Sequence, residues 1–222
     1  MLSPLPLLGL GLLLGLRHAM DPDHVVAVAA ISARARRPLA ASWLGVVWGL
    51  GHTLTLFVTG GAIILLNVVV PPRVGLSFEF AVALTLIGVG LLNLRGRRVA
   101  VPAAGAIATA ARLPALRAFV VGLVHGLAGS AAVALLVLAS VREPAWAVGY
   151  LGVFGLGTML GMTFVTAGMA SSLSLAGARW RGLGPGVRVA TGVLSLGFGV
   201  WLVYQIGWQQ GLFGALPRWV PH

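Results

Sequence analysis

The sequence between residues 17 and 24 reads Arg17-His18-Ala19-Met20-Asp21-Pro22-Asp23-His24. Five of these side chains are ionisable, yet apolar residues flank them from about residue 4 to residue 31. A charged side chain at the centre of a membrane helix costs about 2.5–3.5 kcal/mol on insertion scales, so such groups persist where they pair with each other or meet water or a metal ion. The cluster therefore indicates a functional site inside a membrane. The alternative is a neutralised network that only holds helices together.

Composition excludes a water-soluble globular protein. Of the 222 residues, 59% are hydrophobic and 9% are charged, and the mean hydropathy is +1.00, whereas soluble domains carry about 25% charged residues. The fifteen basic residues are all arginine and give a net charge of +11. Because they lie mainly between apolar stretches, we interpret them as topology markers and not as a nucleic-acid-binding face. The absence of cysteine excludes disulfides and thiolate metal sites.

Six apolar stretches are long enough to cross a hydrocarbon core, which takes about 20 residues of helix. They cover residues 4–31, 43–68, 78–95, 117–139, 145–172 and 187–208. The loops after the first, third and fifth stretches are rich in arginine, so the positive-inside rule places those loops in the cytoplasm and both termini outside. We predict one integral domain of the cell (inner) membrane, with a basic cytoplasmic loop at about 96–116 and a short outer tail at 209–222.

The two halves of the sequence repeat at an offset of about 107 residues. Residues 15–18 align with residues 122–125, which places His18 opposite His125, and residues 49–51 align with 155–157. Chance similarity between helices rich in Gly and Leu is the alternative. We prefer a true repeat because the matches recur in order through three apolar stretches.

Each half of the repeat, about 1–95 and 117–208, contains three predicted crossings. Three is an odd number, so the second half must enter the membrane from the side opposite to the first. Such inverted repeats build transporters whose binding site lies near the midplane between equivalent helices. The predicted fold class is therefore an all-α membrane protein of six transmembrane helices in two inverted three-helix repeats.

Pro22 predicts a break in the first crossing. Proline cannot donate a backbone hydrogen bond, and it moves the preceding residue, Asp21, away from helical angles. Asp21 should then cap a second half-helix that starts with Pro22 and carries Asp23 and His24 in its first turn. The break allows His18 and the side chains beyond it to converge.

Three histidines share one predicted depth. His24, His52 and His125 lie about seven to nine residues from the cytoplasmic end of their stretches, which at 1.5 Å per residue is roughly 10–14 Å. A single buried histidine is more often a packing residue than a ligand, but common depth beside carboxylates favours a metal site. Imidazole suits Ni²⁺, Co²⁺, Cu²⁺ and Zn²⁺, and these ligands alone do not choose among them. His222 is terminal, and we expect no role for it.

The motifs resemble those of the nickel/cobalt transporter (NiCoT) family. Residues 18–24 read H-x4-D-H, that family's signature, and residues 51–53 resemble its second, G-H-S-like motif. Residues 122–132, GLVHGLAGSAA, are similar to the smaller urease-accessory-type permeases of the same superfamily. The resemblance implies permeation of divalent nickel or cobalt, with the signature residues handling the metal and His52 as their partner.

We expect the metal to pass as substrate, with no permanently bound cofactor. The expected metal-handling residues are His18, Asp21, Asp23, His24, His52 and His125. The carboxylates would attract and partly neutralise the ion, the first three histidines would ligate it in passing, and His125 would complete the site from the second half. Arg17 should pair with Asp21 or Asp23, or point to the cytoplasmic side as a gate.

Other functions remain open at this stage. The cluster could serve a metal exporter or a carrier of protons or small anions. The protein could instead be an accessory membrane subunit that transports nothing, or a membrane enzyme with a catalytic zinc, although no nucleophile accompanies the cluster and we expect no enzyme. The expected partners are a divalent transition-metal ion, membrane lipid, further copies of the chain or a metalloenzyme maturation system, and no nucleic acid.

Overall fold

The structure, a computed structural model, is all helical in the part of the chain that it describes, residues 4–33, 38–66, 70–95, 114–128, 143–179 and 183–219. The helices are α1 (Pro4–His18), α2 (Pro22–Ser32), α3 (Pro38–Leu66), α4 (Pro72–Leu94), α5 (Pro114–Ala128), α6 (Pro144–Arg179) and α7 (Leu183–Tyr204), followed by a π-helical turn at Gln205–Gln209. Four of these helices, α3, α4, α6 and α7, are long and apolar enough to cross a membrane. The prediction of an all-α membrane protein is confirmed.

Prolines set the helix starts. Every helix from α1 to α6 begins at a proline, because the proline angle suits the first helical position and the missing N–H has no partner there in any case. For the same reason α4 begins at Pro72, six residues before the start of the predicted crossing at 78–95. The predicted fourth crossing, 117–139, continues beyond α5; its residues 129–139, most of the basic loop and His222 lie outside the described residues.

The predicted break at Pro22 is confirmed. α1 ends at His18, and Asp21 occupies the N-cap of α2 with extended angles, φ −60° and ψ 146°. A tight turn closes the gap, in which the N–H of Asp21 donates to the carbonyl of His18 at 3.0 Å. The Asp21 side chain makes no capping hydrogen bond, which corrects that part of the prediction. Its carboxylate instead accepts from the His18 ring at 2.7 Å.

Helices from the two halves of the chain pack directly on each other. α3 lies antiparallel to α6, since Gly45 approaches Met162 and Gly49 approaches Met159. α1 lies parallel to α6, since Gly11 approaches Tyr150 and Gly15 comes four residues later against Phe154 and Thr158. α4 packs on α7, and these two helices also run antiparallel.

The close approaches between the halves are reciprocal. A side chain at Gly15 would collide with the backbone of Phe154, and one at Gly122 would collide with the backbone of Trp48. Residues 15 and 122, and residues 48 and 154, are equivalent under the sequence repeat. The same reciprocity occurs between α4 and α7, where a side chain at Gly90 would meet residue 196 and one at Gly199 would meet residue 87. Helix backbones can come this close only where small residues face each other.

Residues 210–219, here called the C-terminal strap, fold back onto α4. The Arg218 N–H donates to the Gln210 carbonyl at 2.8 Å, and Gly211 adopts a left-handed φ of 78° that permits the turn. The Trp219 indole then covers Gly75, where any side chain would overlap the ring. The strap therefore packs on the end of the bundle at which α4 begins.

Candidate metal centre

Four histidines from four helices meet inside the bundle. His18 ends α1, His24 lies in the first turn of α2, His52 lies in α3 and His125 in α5. The ring centroids of His18 and His24 are 4.7 Å apart, and each lies 5.2 Å from the ring of His52. His125 lies 5.4 Å from His24. The histidines that the depth argument placed at one level therefore lie together.

The helix break brings the first two rings into contact. Six residues along a continuous helix span about 9 Å, which would hold His18 and His24 apart. The turn at residues 19–21 interrupts this regular rise, and the two rings lie edge to face with their centroids 4.7 Å apart. Pro22 therefore contributes to the site by shaping the backbone, since its own side chain offers no ligand.

The histidines are buried. His24, His52 and His125 expose 2% or less of their surface, and the His18 side chain exposes 13%. Nδ1 of His18 donates to Asp21 at 2.7 Å, and Nδ1 of His24 donates to Asp23 at 3.1 Å. Carboxylate oxygens accept and do not donate, so the hydrogen of each neutral ring is on Nδ1 and the lone pair on Nε2.

The opposite nitrogens have no partner. Nε2 of His18, His24 and His125 and both nitrogens of His52 are buried without a hydrogen bond in the part of the chain that the structure describes. Buried polar atoms are normally satisfied, and exceptions require an explanation. One ligand nitrogen from each of His18, His24 and His52 lies within 4.8 Å of the others. Nitrogens that share one metal at about 2.1 Å lie up to about 4.2 Å apart, so a small rotation of the rings would close all three on one ion.

Asp21 and Asp23 lie behind the imidazoles. Each carboxylate bonds the nitrogen that faces away from the unpartnered one, the arrangement in which a second residue fixes the tautomer and orientation of a ligating histidine. His125 follows the same scheme, with its Nδ1 donating to the Val121 carbonyl at 2.9 Å. The sequence analysis expected these carboxylates to attract and partly neutralise the ion, and the structure places each of them against the Nδ1 nitrogen of a histidine expected to ligate it.

Arg17 does not pair with the carboxylates. Its side chain is exposed, and among the described residues it forms no ion pair with Asp21 or Asp23. Adjacent residues on a helix point about 100° apart, so the face of α1 that turns His18 inward turns Arg17 away. The predicted pairing is therefore wrong; a gating role stays a prediction.

A cavity of about 330 Å³ lies beside the histidines. Its walls include the side chains of His18, His24 and His125 and three of the four acidic residues of the chain, Asp21, Asp23 and Glu79. No arginine is among its described lining residues. The cavity thus joins carboxylate charge to unpartnered imidazole nitrogens, a combination that favours a cation.

The sequence is 36% identical over 219 residues to the urease accessory protein UreH of Bacillus sp. (strain TB-90), covering 94% of this chain and 95% of that protein. This chain belongs to the urease accessory branch of the nickel/cobalt transporter family. The resemblance drawn from the H-x4-D-H motif is confirmed. No protein-family profile and no solved structure matches the chain.

The structure adds two residues that the sequence analysis overlooked. Trp48 is buried, stacks on His24 at 6.0 Å and meets the ring of His125 edge-on at 5.4 Å. It precedes His52 by four residues, a spacing that places both on one face of α3 and could have indicated it. The other is Glu79, which lies at the very start of the predicted crossing 78–95; because α4 begins at Pro72, Glu79 lies inside that helix and lines the cavity.

Proposed function

We propose that this protein moves divalent nickel, or cobalt, across the cell membrane through the histidine site. The observation that carries the proposal is the convergence of His18, His24 and His52 inside an apolar bundle, where each ring has a buried nitrogen without a hydrogen bond in the described part of the chain. A buried site of three neutral imidazoles without thiolate suits Ni²⁺, Co²⁺ or Zn²⁺. The name of the relative, a urease accessory protein, favours nickel, since urease is a nickel enzyme. Supply of nickel to urease maturation is the corresponding role.

The site is built for passage. A transported ion must bind well enough to enter and weakly enough to leave. Three imidazoles from different helices, two of them on either side of a helix break, can release an ion when those helices shift, whereas a structural metal site is closed by four ligands. The carboxylates behind His18 and His24 compensate the charge of the ion and keep each Nε2 deprotonated for binding.

We further propose that the chain crosses the membrane six times as two inverted repeats, with α1 and α2 forming one broken crossing. The reciprocal glycine contacts between the halves support this arrangement. So do the helix directions: α1 parallel to α6, and α3 antiparallel to α6, are the directions that six alternating crossings require. In this topology both termini lie outside, and the ends at which α1 and α4 begin face outward.

The direct test is metal flux into liposomes that contain only this protein. We expect wild-type vesicles to accumulate Ni²⁺, and His52→Ala to reduce the rate at least 100-fold, because it removes one of three ligands. Thr166→Val is the matched control, since Thr166 is buried on α6 and its hydroxyl bonds its own helix at Met162. Vesicles of folded wild-type protein that pass no metal would overturn the proposal.

The same experiment addresses the second candidate, an accessory membrane subunit that transports nothing. The name of the relative favours that possibility because it describes an accessory protein. An accessory subunit would bind nickel at the histidines without moving it. Binding by the purified protein together with zero flux would therefore select it.

A further inference from the structure

Acidic residues are scarce in this chain, and their positions are informative. The chain has four, and three of them line the cavity beside the histidines. Asp21 and Asp23 are bonded to the imidazoles, but Glu79 enters the wall from another helix, α4. A carboxylate within a membrane helix is costly and is usually retained for function. The fourth acidic residue, Glu143, is exposed just before α6 and lies outside the cavity wall.

The packing register places Glu79 away from the histidines and toward the end of the bundle where α4 begins. The Asn93 side chain donates to the Ala30 carbonyl at 2.7 Å and ties α4 to α2. At 1.5 Å per residue, Pro22 lies about 12 Å before Ala30 along α2, and Glu79 lies about 21 Å before Asn93 along α4. In the proposed topology α2 and α4 run in the same direction, which places Glu79 about 9 Å beyond the start of α2, on the wall of the same cavity.

The C-terminal strap holds the Glu79 side chain. The Trp219 indole N–H donates to Oε1 of Glu79 at 2.8 Å. The ring rests on Gly75, one turn before Glu79 on the same face of α4. The strap is itself fixed to α4, because the Arg73 guanidinium donates to the Gly214 carbonyl at 3.1 Å. A contact that spans 140 residues of sequence thus helps to orient the carboxylate.

We propose that the Glu79 carboxylate binds the divalent ion on the outer side of the histidines, before the ion reaches them, and that Trp219 positions this carboxylate. The inference rests on the proposed transport function and topology. A carboxylate is a hard oxygen ligand that binds a divalent ion still carrying water, and the imidazoles then replace that water with nitrogen. The ion would therefore meet oxygen first and nitrogen second along one cavity.

The test separates capture from turnover. Glu79→Gln keeps the shape and still accepts from Trp219, but removes the charge. We expect the KM for Ni²⁺ flux into liposomes to rise about tenfold, with kcat changed less than twofold, because focused charge raises the local concentration of ions by ten-fold or more. Glu143→Gln is the matched control: it removes the same charge from an exposed position, and its KM should stay within twofold of wild type.

A positioning role for Trp219 makes a distinct prediction. Trp219→Phe keeps an aromatic ring over Gly75 and removes only the donor, and we expect a KM three- to five-fold higher. In the double variant with Glu79→Gln the KM should be no higher than in Glu79→Gln alone, because both changes act through one carboxylate. Additive effects, or a fall in kcat at constant KM, would make the contact purely structural and overturn the inference.

Failure of this inference differs from failure of the proposed function. If wild-type vesicles pass no Ni²⁺, the transport proposal itself is wrong. If wild type transports and folded Glu79→Gln has the wild-type KM, only the role of Glu79 is wrong. Should Glu79→Gln not elute as a folded protein from a sizing column, Trp219→Phe carries the test, and a wild-type KM for that variant overturns the inference.

Discussion

Asp23→Asn tests whether the carboxylate behind His24 controls metal affinity. An ion on Nε2 of His24 would lie about 7 Å from this carboxylate, given a metal–nitrogen bond of about 2.1 Å and the 3.1 Å hydrogen bond. With an effective dielectric constant of about 20, attraction between charges of +2 and −1 at about 7 Å is about 5 kcal/mol. Because the Asp23 side chain is 27% exposed, solvent screens part of this attraction.

The loss of metal affinity that typically follows removal of a hydrogen-bond partner behind a ligating histidine defines the expected effect more narrowly than this electrostatic calculation. Loss of a group behind a ligating histidine typically costs 10–100-fold in metal affinity, or about 1.4–2.8 kcal/mol. We expect Asp23→Asn near the upper end, because the amide loses the charge and can also donate to Nδ1, which would place the hydrogen on Nε2 and block ligation. Asp21→Asn should cost less, since the Asp21 side chain is 45% exposed.

The assay is titration of purified protein with NiCl₂ by calorimetry at fixed pH. The expected order of affinity is wild type, then Asp21→Asn, then Asp23→Asn. Wild-type affinity in Asp23→Asn would refute the reasoning, because it would show that no ion binds in front of His24. A larger loss in Asp21→Asn than in Asp23→Asn would refute the screening argument and place the ion nearer His18.

Three further predictions concern the ligands, protons and packing. His24→Ala should lower Ni²⁺ affinity at least 100-fold in the same titration while the protein still elutes as a folded species; near wild-type affinity would remove His24 from the site. Nickel binding should weaken as pH falls, because protonated imidazole cannot ligate, and pH-independent binding between pH 5 and 8 would exclude histidine ligands. Gly90→Val should destabilise the protein by about 1–3 kcal/mol, since its side chain would strike residues 192 and 196. Gly88→Val is the control, because a side chain there meets nothing within 4 Å. Equal melting temperatures of the two variants would contradict the α4–α7 packing.

The parts of the site that sequence predicted are those set by local rules. A proline inside a helix removes a backbone hydrogen bond and kinks or breaks the helix. The end of α1 and the start of α2 therefore followed from the position of Pro22 in the sequence. The common level of His24, His52 and His125 followed from the helix rise once the crossings were counted. Neither argument needed knowledge of which helices touch.

What sequence did not predict depends on contacts between distant residues. Asp21 was expected to cap α2, but the His18 ring competes for the same carboxylate, and that geometry appears only after the turn forms. Arg17 was expected to find a carboxylate, but the histidines already occupy both. Glu79 was overlooked because its surroundings come from the C-terminal strap and the cavity, far away along the chain.

The proposed inverted repeat extends to the ring contacts around the histidines but not to the full set of ligands. His18 meets Phe154 at 5.5 Å and its repeat equivalent His125 meets Trp48 at 5.4 Å, so the two halves repeat even their ring contacts. The other ligands are not repeated: Thr158 stands at the position equivalent to His52, and residues 131 and 132, near the equivalent of His24, are alanines. Two equivalent halves can exchange conformations and so open a pathway to either side of the membrane, while the ligands of one half keep the ion at a single place. This unequal distribution of ligands over two equivalent halves agrees with the proposed transport of an ion through a single site.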